Sequence, residues 1–254
     1  MSYLPLKTEM VSFEAHGSAT GEANYARPNL DAKMGGVILV HHLPGWDDWI
    51  QEAARRIAHN GFACIAPNLY FRNGPGTPDD VGARVRAQGG VPDEQFVGDM
   101  AGCMKFLRAQ PESNGKVAIM GFCSGGRHAW LAGCSLKGLD AIVDCWGGAV
   151  IVDDPKELTA MRPVAPIDLT ANMTAPVLGI FGNEDQRPSP DQVNRTEEVL
   201  KKLGKQYEFH RYDGVGHGFF AADRPAYRAE QATDGWRKVV SFLDRQIGPR
   251  LKAH

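Results

Sequence analysis

Cys123 stands in the run Gly121-Phe122-Cys123-Ser124-Gly125-Gly126, a reactive side chain surrounded by small residues. A nucleophile presented on a tight strand-to-helix turn needs such neighbours, because the backbone there is too cramped for bulk. Residues 116–120 (KVAIM) read as the strand entering the turn, and residues 124–133 as the start of a helix leaving it. A cysteine at a helix N-terminus faces the positive end of the peptide dipoles, which favours thiolate over thiol. The same letters would also suit a small buried cysteine in a Gly-rich connection. A base and an acid in the right order separate the two cases.

Sheets that carry a nucleophile on such an elbow supply its partners in the chain order nucleophile, acid, histidine. The strand-like run of residues 176–181 (PVLGIF) is followed by Gly182-Asn183-Glu184-Asp185, which puts Asp185 at a strand's carboxyl end. The run of residues 206–212 (QYEFHRY) leads into Gly214-Val215-Gly216-His217-Gly218-Phe219, where glycines let His217 approach a neighbouring turn. His41, His42, His128 and His210 compete for the role of base, but none combines a post-strand position with flanking glycines. Glu184, Asp191 and Asp213 compete for the acid, and Glu184 is the nearest rival. Attack on a carbonyl also calls for N–H donors to the developing oxyanion. Ser124 offers the amide after the nucleophile, and Leu43 is the second donor in His41-His42-Leu43-Pro44-Gly45, because Pro44 has no amide hydrogen.

These residues need a scaffold, and the chain alternates β-rich runs with longer amphipathic ones, the pattern of a mostly parallel sheet covered by helices on both faces. Residues 37–42 and 62–66 read as central strands, and 140–146, 176–181 and 206–212 as three more strands. Residues 47–60, 92–110, 191–203 and 225–247 read as helices. Residues 67–90, rich in Gly and Pro, read as an irregular loop over the site, and residues 147–175 wander between strands. The N-terminal residues 1–17 alternate polar and apolar side chains without the basic start and apolar run of a signal peptide.

The 254-residue chain carries 28 Lys and Arg against 30 Asp and Glu, a net charge of −2 that provides no basic field for nucleic acid or anionic membrane. Its apolar runs fall short of the roughly 20 residues of a membrane helix, so a single domain over residues 1–254 in the cytoplasm is expected. The five cysteines are odd in number and contain no C-x-x-C pair, against a disulfide framework or a structural zinc site. Cys134 lies about three helical turns beyond Cys123, too far to resolve a redox disulfide within one helix. A small-molecule ligand is expected. Nothing in the sequence sets the oligomeric state.

With nucleophile, acid, base and oxyanion loop assembled, the chain resembles the dienelactone hydrolase family, members of which carry cysteine at the elbow where most relatives carry serine. The landmarks are Pro67-Asn68-Leu69-Tyr70, Asn114-Gly115-Lys116-Val117 leading into the elbow, the loop 182–185, and Gly216-His217-Gly218-Phe219. The resemblance implies a single-domain α/β-hydrolase fold and hydrolysis of an enol-lactone such as dienelactone, or of a related carboxylic ester. It further implies an acyl-cysteine intermediate, with Cys123, Asp185 and His217 as the triad and with no metal or cofactor. The sequence departs from the family at His42, which stands where the founding pattern has a glutamate that helps set the ionisation of the cysteine. A substrate carboxylate calls for an arginine, and Arg84, Arg86 and Arg127 are candidates by position. His42, Trp46, Phe122, Trp146 and Phe220 are candidate pocket walls. A bulkier, less anionic ester is an alternative substrate, and a non-catalytic binding module on the same fold is an alternative function.

Overall fold

The computed structural model describes residues 4–248. One eight-stranded sheet runs through the molecule in the order β1-β2-β4-β3-β5-β6-β7-β8. Its first two strands, β1 (Leu6–Glu14) and β2 (Thr20–Pro28), pair antiparallel around the turn at His16–Ser18. Within the alternating N-terminal stretch, Leu6–Glu14 is a half-exposed edge strand, and residues 1–3 lie outside the described part.

The remaining strands are β3 (Met34–Val40), β4 (Ala63–Pro67), β5 (Ser113–Phe122), β6 (Ala141–Cys145), β7 (Val177–Gly182) and β8 (Tyr207–Tyr212). β2 pairs antiparallel with β4, and from β4 through β8 every pairing is parallel. Buried on both faces, β3 and β4 are apolar or small throughout, as a covered parallel sheet requires. The chain steps from β3 outward to β4 and then back across to β5, so the strand order reverses between β3 and β5. The loops leaving the carboxyl ends of these two strands therefore diverge and open a crevice. The Cys123 turn and the His41–Gly45 loop flank that crevice.

Two helices, α1 (Asp48–His59) and α6 (Ala229–Ile247), cover one face with Ile50, Ile57, Trp236 and Leu243. On the other face α3 (Asp93–Ala109), α4 (Ser124–Ser135) and α5 (Pro190–Lys202) bring in Phe96, Met100, Trp130 and Leu200. Residues 67–90 are not wholly irregular. They contain α2 (Pro78–Ala87), which starts on the Thr77 cap with Pro78 in its first turn and buries Val81 and Val85. With so short an apolar stripe between Gly-rich flanks, the helical period is hard to see in sequence. The last helix begins at Ala229 rather than 225, after a turn at Arg224 to Tyr227. Among the described residues no helix is long and apolar enough to cross a membrane.

Candidate active site

β5 delivers Cys123 to its elbow with φ 55° and ψ −121°, a left-handed backbone that a residue other than glycine adopts only when its surroundings enforce it. Those surroundings are explicit. Cys123 N donates to Cys145 O at 3.0 Å, which fixes the turn to β6, and Cys123 O accepts from Gly126 N and Arg127 N at 2.9 and 3.3 Å, which starts α4. A Cβ on Gly121 would lie 2.0 Å from Gly125 O, and one on Gly125 would lie 2.4 Å from Val40 O. The glycines of the motif are thus imposed by backbone packing against backbone.

Behind the elbow sits Asp144 of β6, fully buried, whose Oδ1 accepts from Gly147 N at 2.7 Å. Burial raises its pKa to about 7, against a smaller opposing effect of that hydrogen bond. The bond ties down a strained turn in which Trp146 has φ 45°.

Asp185 follows β7 and is 4% exposed, whereas Glu184 beside it faces solvent, which separates the two rival acids. Asp185 Oδ1 accepts from Arg187 N at 2.9 Å. Its Oδ2 faces His217 Nδ1 at 2.7 Å. The backbone holds the two loops in register: Glu184 N donates to Val215 O at 2.9 Å, and a Cβ on Gly182 would strike Val215 O at 2.3 Å. With Nδ1 engaged by Asp185, His217 has Nε2 left for the Cys123 thiol. Burial disfavours charge on the ring, but Asp185 and Cys123 outweigh it and raise the His217 pKa to about 10. The His217 side chain is 39% exposed and its ring meets Trp146 edge-on at 6.4 Å.

Cys123, Asp185 and His217 open into a cavity of about 500 Å³ together with Leu43, Ser124, Arg127, Gly148, Ala149, Arg162 and Arg187. Leu43 and Ser124 flank Cys123, and Ser124 begins α4, where the amide has no acceptor within the helix. A second cavity of about 240 Å³ shares Leu43, Ser124 and Arg162 with the first and extends to His41, Tyr70, Arg86 and His128.

Several other candidate residues stand elsewhere. His42 Nε2 bonds Asp47 Oδ2 at 2.6 Å, its ring lies against Trp49, and it lines neither cavity. Arg84 is held by the carbonyls of Asn73 and Pro75 at 3.2 and 2.7 Å and is likewise absent from both. Arg127 reaches the first cavity, but Asp93 pairs it through two bonds of 2.6 and 2.8 Å. Arg86 lines the second cavity. Trp46 donates to Ala66 O at 3.0 Å and lines a separate groove beside Tyr70 and Pro78. Phe122, Trp146 and Phe220 belong to a buried aromatic cluster with Trp236, Trp146 forming the backing of His217 and no open wall. His41 is structural: Nδ1 lies 2.8 Å from His42 O, Nε2 accepts from Leu69 N at 3.2 Å, and burial lowers its pKa to about 4. Arg162 was not foreseen. It comes from the aperiodic stretch 147–175, where no spacing singles it out.

The sequence profile of the dienelactone hydrolase family matches residues 22–247. The chain belongs to the dienelactone hydrolase family. A Methylorubrum extorquens protein named "Putative carboxymethylenebutenolidase" is 33% identical over 220 residues, 84% of this chain and 72% of the relative. An Escherichia coli protein of the same name is 31% identical over 233 residues, 90% of this chain and 83% of the relative. A crystal structure titled as a "Putative Dienelactone Hydrolase" from Klebsiella pneumoniae superposes with a TM-score of 0.85 at 28% identity, covering 95% of this chain and 99% of that one. This dienelactone hydrolase family member is a carboxylic-ester hydrolase with the α/β-hydrolase fold.

Proposed function

We propose that the chain hydrolyses a lactone or carboxylic ester through an acyl-cysteine intermediate on Cys123, with His217 as acid and base and Asp185 as its orienting carboxylate. The observation that carries this reading is the chain of contacts from the buried Asp185 carboxylate through the His217 ring to a cysteine held in a strained elbow.

The proton of Cys123 rests on His217 Nε2, and Sγ attacks the substrate carbonyl carbon. The carbonyl oxygen gains the negative charge and takes hydrogen bonds from the Ser124 and Leu43 amides. Collapse breaks the ester C–O bond, and the leaving oxygen takes the proton from His217. Water then adds to the thioester carbonyl as His217 removes its proton. The C–S bond breaks, the acid leaves and the thiol is restored. Asp185 holds Nδ1 protonated throughout, which points Nε2 at the reacting atoms.

Purified protein should release 4-nitrophenolate from a short-chain 4-nitrophenyl ester, and Cys123→Ala should abolish the release. Turnover unchanged in that variant would overturn the proposal.

A further inference from the structure

The Leu43 amide that receives the oxyanion sits in a loop, and its aim depends on what holds it. The N–H of Leu43 and the carbonyl of His42 belong to one rigid trans peptide and point in opposite directions, so whatever fixes the carbonyl directs the N–H. Two groups converge on that carbonyl. Gly45 N donates to His42 O at 3.0 Å, closing the turn His42-Leu43-Pro44-Gly45, and His41 Nδ1 lies 2.8 Å from the same oxygen. Leu43 N meets no acceptor among the described residues, and Leu43 lines the cavity that holds Cys123 and Ser124.

The tautomer of His41 follows from its partners. Leu69 N can only donate, so Nε2, 3.2 Å away, is the acceptor. The ring proton then sits on Nδ1 and is donated to His42 O, which can only accept. Burial lowers the His41 pKa to about 4, so near neutral pH the ring is uncharged and Nε2 keeps its lone pair. The ring is 1% exposed and Tyr70 meets it edge-on at 4.6 Å, while the Tyr70 hydroxyl donates to Leu43 O at 3.1 Å. Leu69 N–H, the His41 ring and the His42–Leu43 peptide thus form one buried line of donors that ends at the oxyanion site.

Such a line has two effects on the reaction. Hydrogen bonds in a chain polarise one another, so a proton donated to His42 O makes the Leu43 N–H a stronger donor. An amide fixed beforehand also needs no reorganisation when the negative charge develops. Both effects grow with the charge on the substrate oxygen and so belong to the transition state rather than to substrate binding.

Resting on the acyl-cysteine reading, we propose that His41 is a positioning residue for the oxyanion: its Nδ1–H, held in that tautomer by Leu69 N, aims and polarises the Leu43 amide. His41 acts through the backbone and donates to no reacting atom.

Two near-isosteric substitutions separate the ring nitrogens. His41→Asn retains a donor at the place of Nδ1, and His41→Gln retains an acceptor at the place of Nε2. With a 4-nitrophenyl ester, His41→Gln should lower kcat and kcat/KM together by about 10²-fold, and His41→Asn should keep both about tenfold or more above that level. Infrared spectra of the acylated enzyme give a second readout: the thioester carbonyl band should lie lower in wild type and His41→Asn than in His41→Gln. Equal losses in the two variants, or full kcat in His41→Gln, would overturn the role of His41 while leaving the acyl-cysteine reading intact. Wild-type turnover without any thioester would overturn that reading instead, and the order of the two variants in kcat would still decide His41. If either variant fails to fold, 15N NMR of the wild-type imidazoles decides. A proton on His41 Nδ1 whose resonance moves when an activated ester is mixed in supports the proposal; a proton on Nε2, or a resonance left unmoved, overturns it.

Discussion

The imidazole of His217 faces the buried carboxylate of Asp185 at 2.7 Å through Nδ1, and this contact, with Cys123 on the ring's other side, raises the His217 pKa from 6.5 to about 10. A proton on the ring is thus favoured in the folded protein over the unfolded one. The resulting stability is fully present below pH 6.5 and is lost as pH rises toward 10. The leaving-group acid should likewise persist into the alkaline range. Acylation rates in the wild type should fall only near pH 10, and Asp185→Asn should move that alkaline limb to lower pH and reduce kcat by about 10³-fold or more. Stopped-flow acylation across pH measures both, and an alkaline limb unmoved by the substitution would contradict the pairing.

Asp144 obeys the opposite logic for a carboxyl group. Its folded pKa of about 7 exceeds its ordinary 3.8, so the fold favours the protonated acid and stability declines as pH rises between these values. Asp144→Asn keeps an acceptor for Gly147 N and carries no charge. At pH 8 the variant should be more stable than wild type by roughly 1–3 kcal/mol, and at pH 4 the difference should vanish. Urea melts at the two pH values check this.

Gly121 and Gly125 show how the elbow restricts its own sequence. A methyl at either position meets backbone oxygen, at 2.0 Å and 2.4 Å respectively, and backbone cannot step aside as a flexible side chain does. Gly121→Ala and Gly125→Ala should each destabilise the protein by more than about 3 kcal/mol or prevent folding. Gly74→Ala, with open space around it, should cost only the strain of its φ of 77°. Thermal unfolding ranks the three.

Asp47 ties three segments together. Its Oδ1 accepts from Ile50 N at 3.1 Å as the cap of α1, and its Oδ2 meets His42 at 2.6 Å and Arg224 at 3.1 Å. It thereby connects the loop that carries Leu43 to the segment that follows His217. Asp47→Ala should cost about 1–2 kcal/mol from the lost cap and lower kcat through the loosened Leu43 loop. Denaturant melts and steady-state kinetics separate the two effects.

The elbow and both partner loops were legible in sequence because each rests on a local rule: small residues at a cramped turn, an acid after a strand, glycines around a histidine. The parallel core followed from apolar runs buried on both faces. β1 escaped notice because a half-exposed edge strand looks like any alternating surface segment, and β2, paired on both sides and mostly buried, because Gly21, Asn24 and Pro28 interrupt its apolar run. α2 was hidden by its short apolar stripe. The substrate walls were the least legible. Trp46, Phe122 and Trp146 are aromatic whether they line a pocket or fill a core, and only tertiary packing assigns Phe122 and Trp146 to the core and Trp46 to a groove apart from Cys123. Arg84 and Arg86 differ by two residues and so by roughly 200° around a helix, which separates the loop-bound cation from the one at the cavity. Arg162 reaches the site from a segment without periodicity, so no pattern could place it.

The central role assigned to Cys123 is tested most directly by mixing the protein with a slowly deacylating activated ester, quenching in acid and recording the intact mass. The expected result is a mass increase of one acyl group per chain, located by peptide mapping on Cys123, formed at the rate of the product burst and absent in Cys123→Ala. Product formation with no adduct, or an adduct on another residue that survives Cys123→Ala, would contradict it.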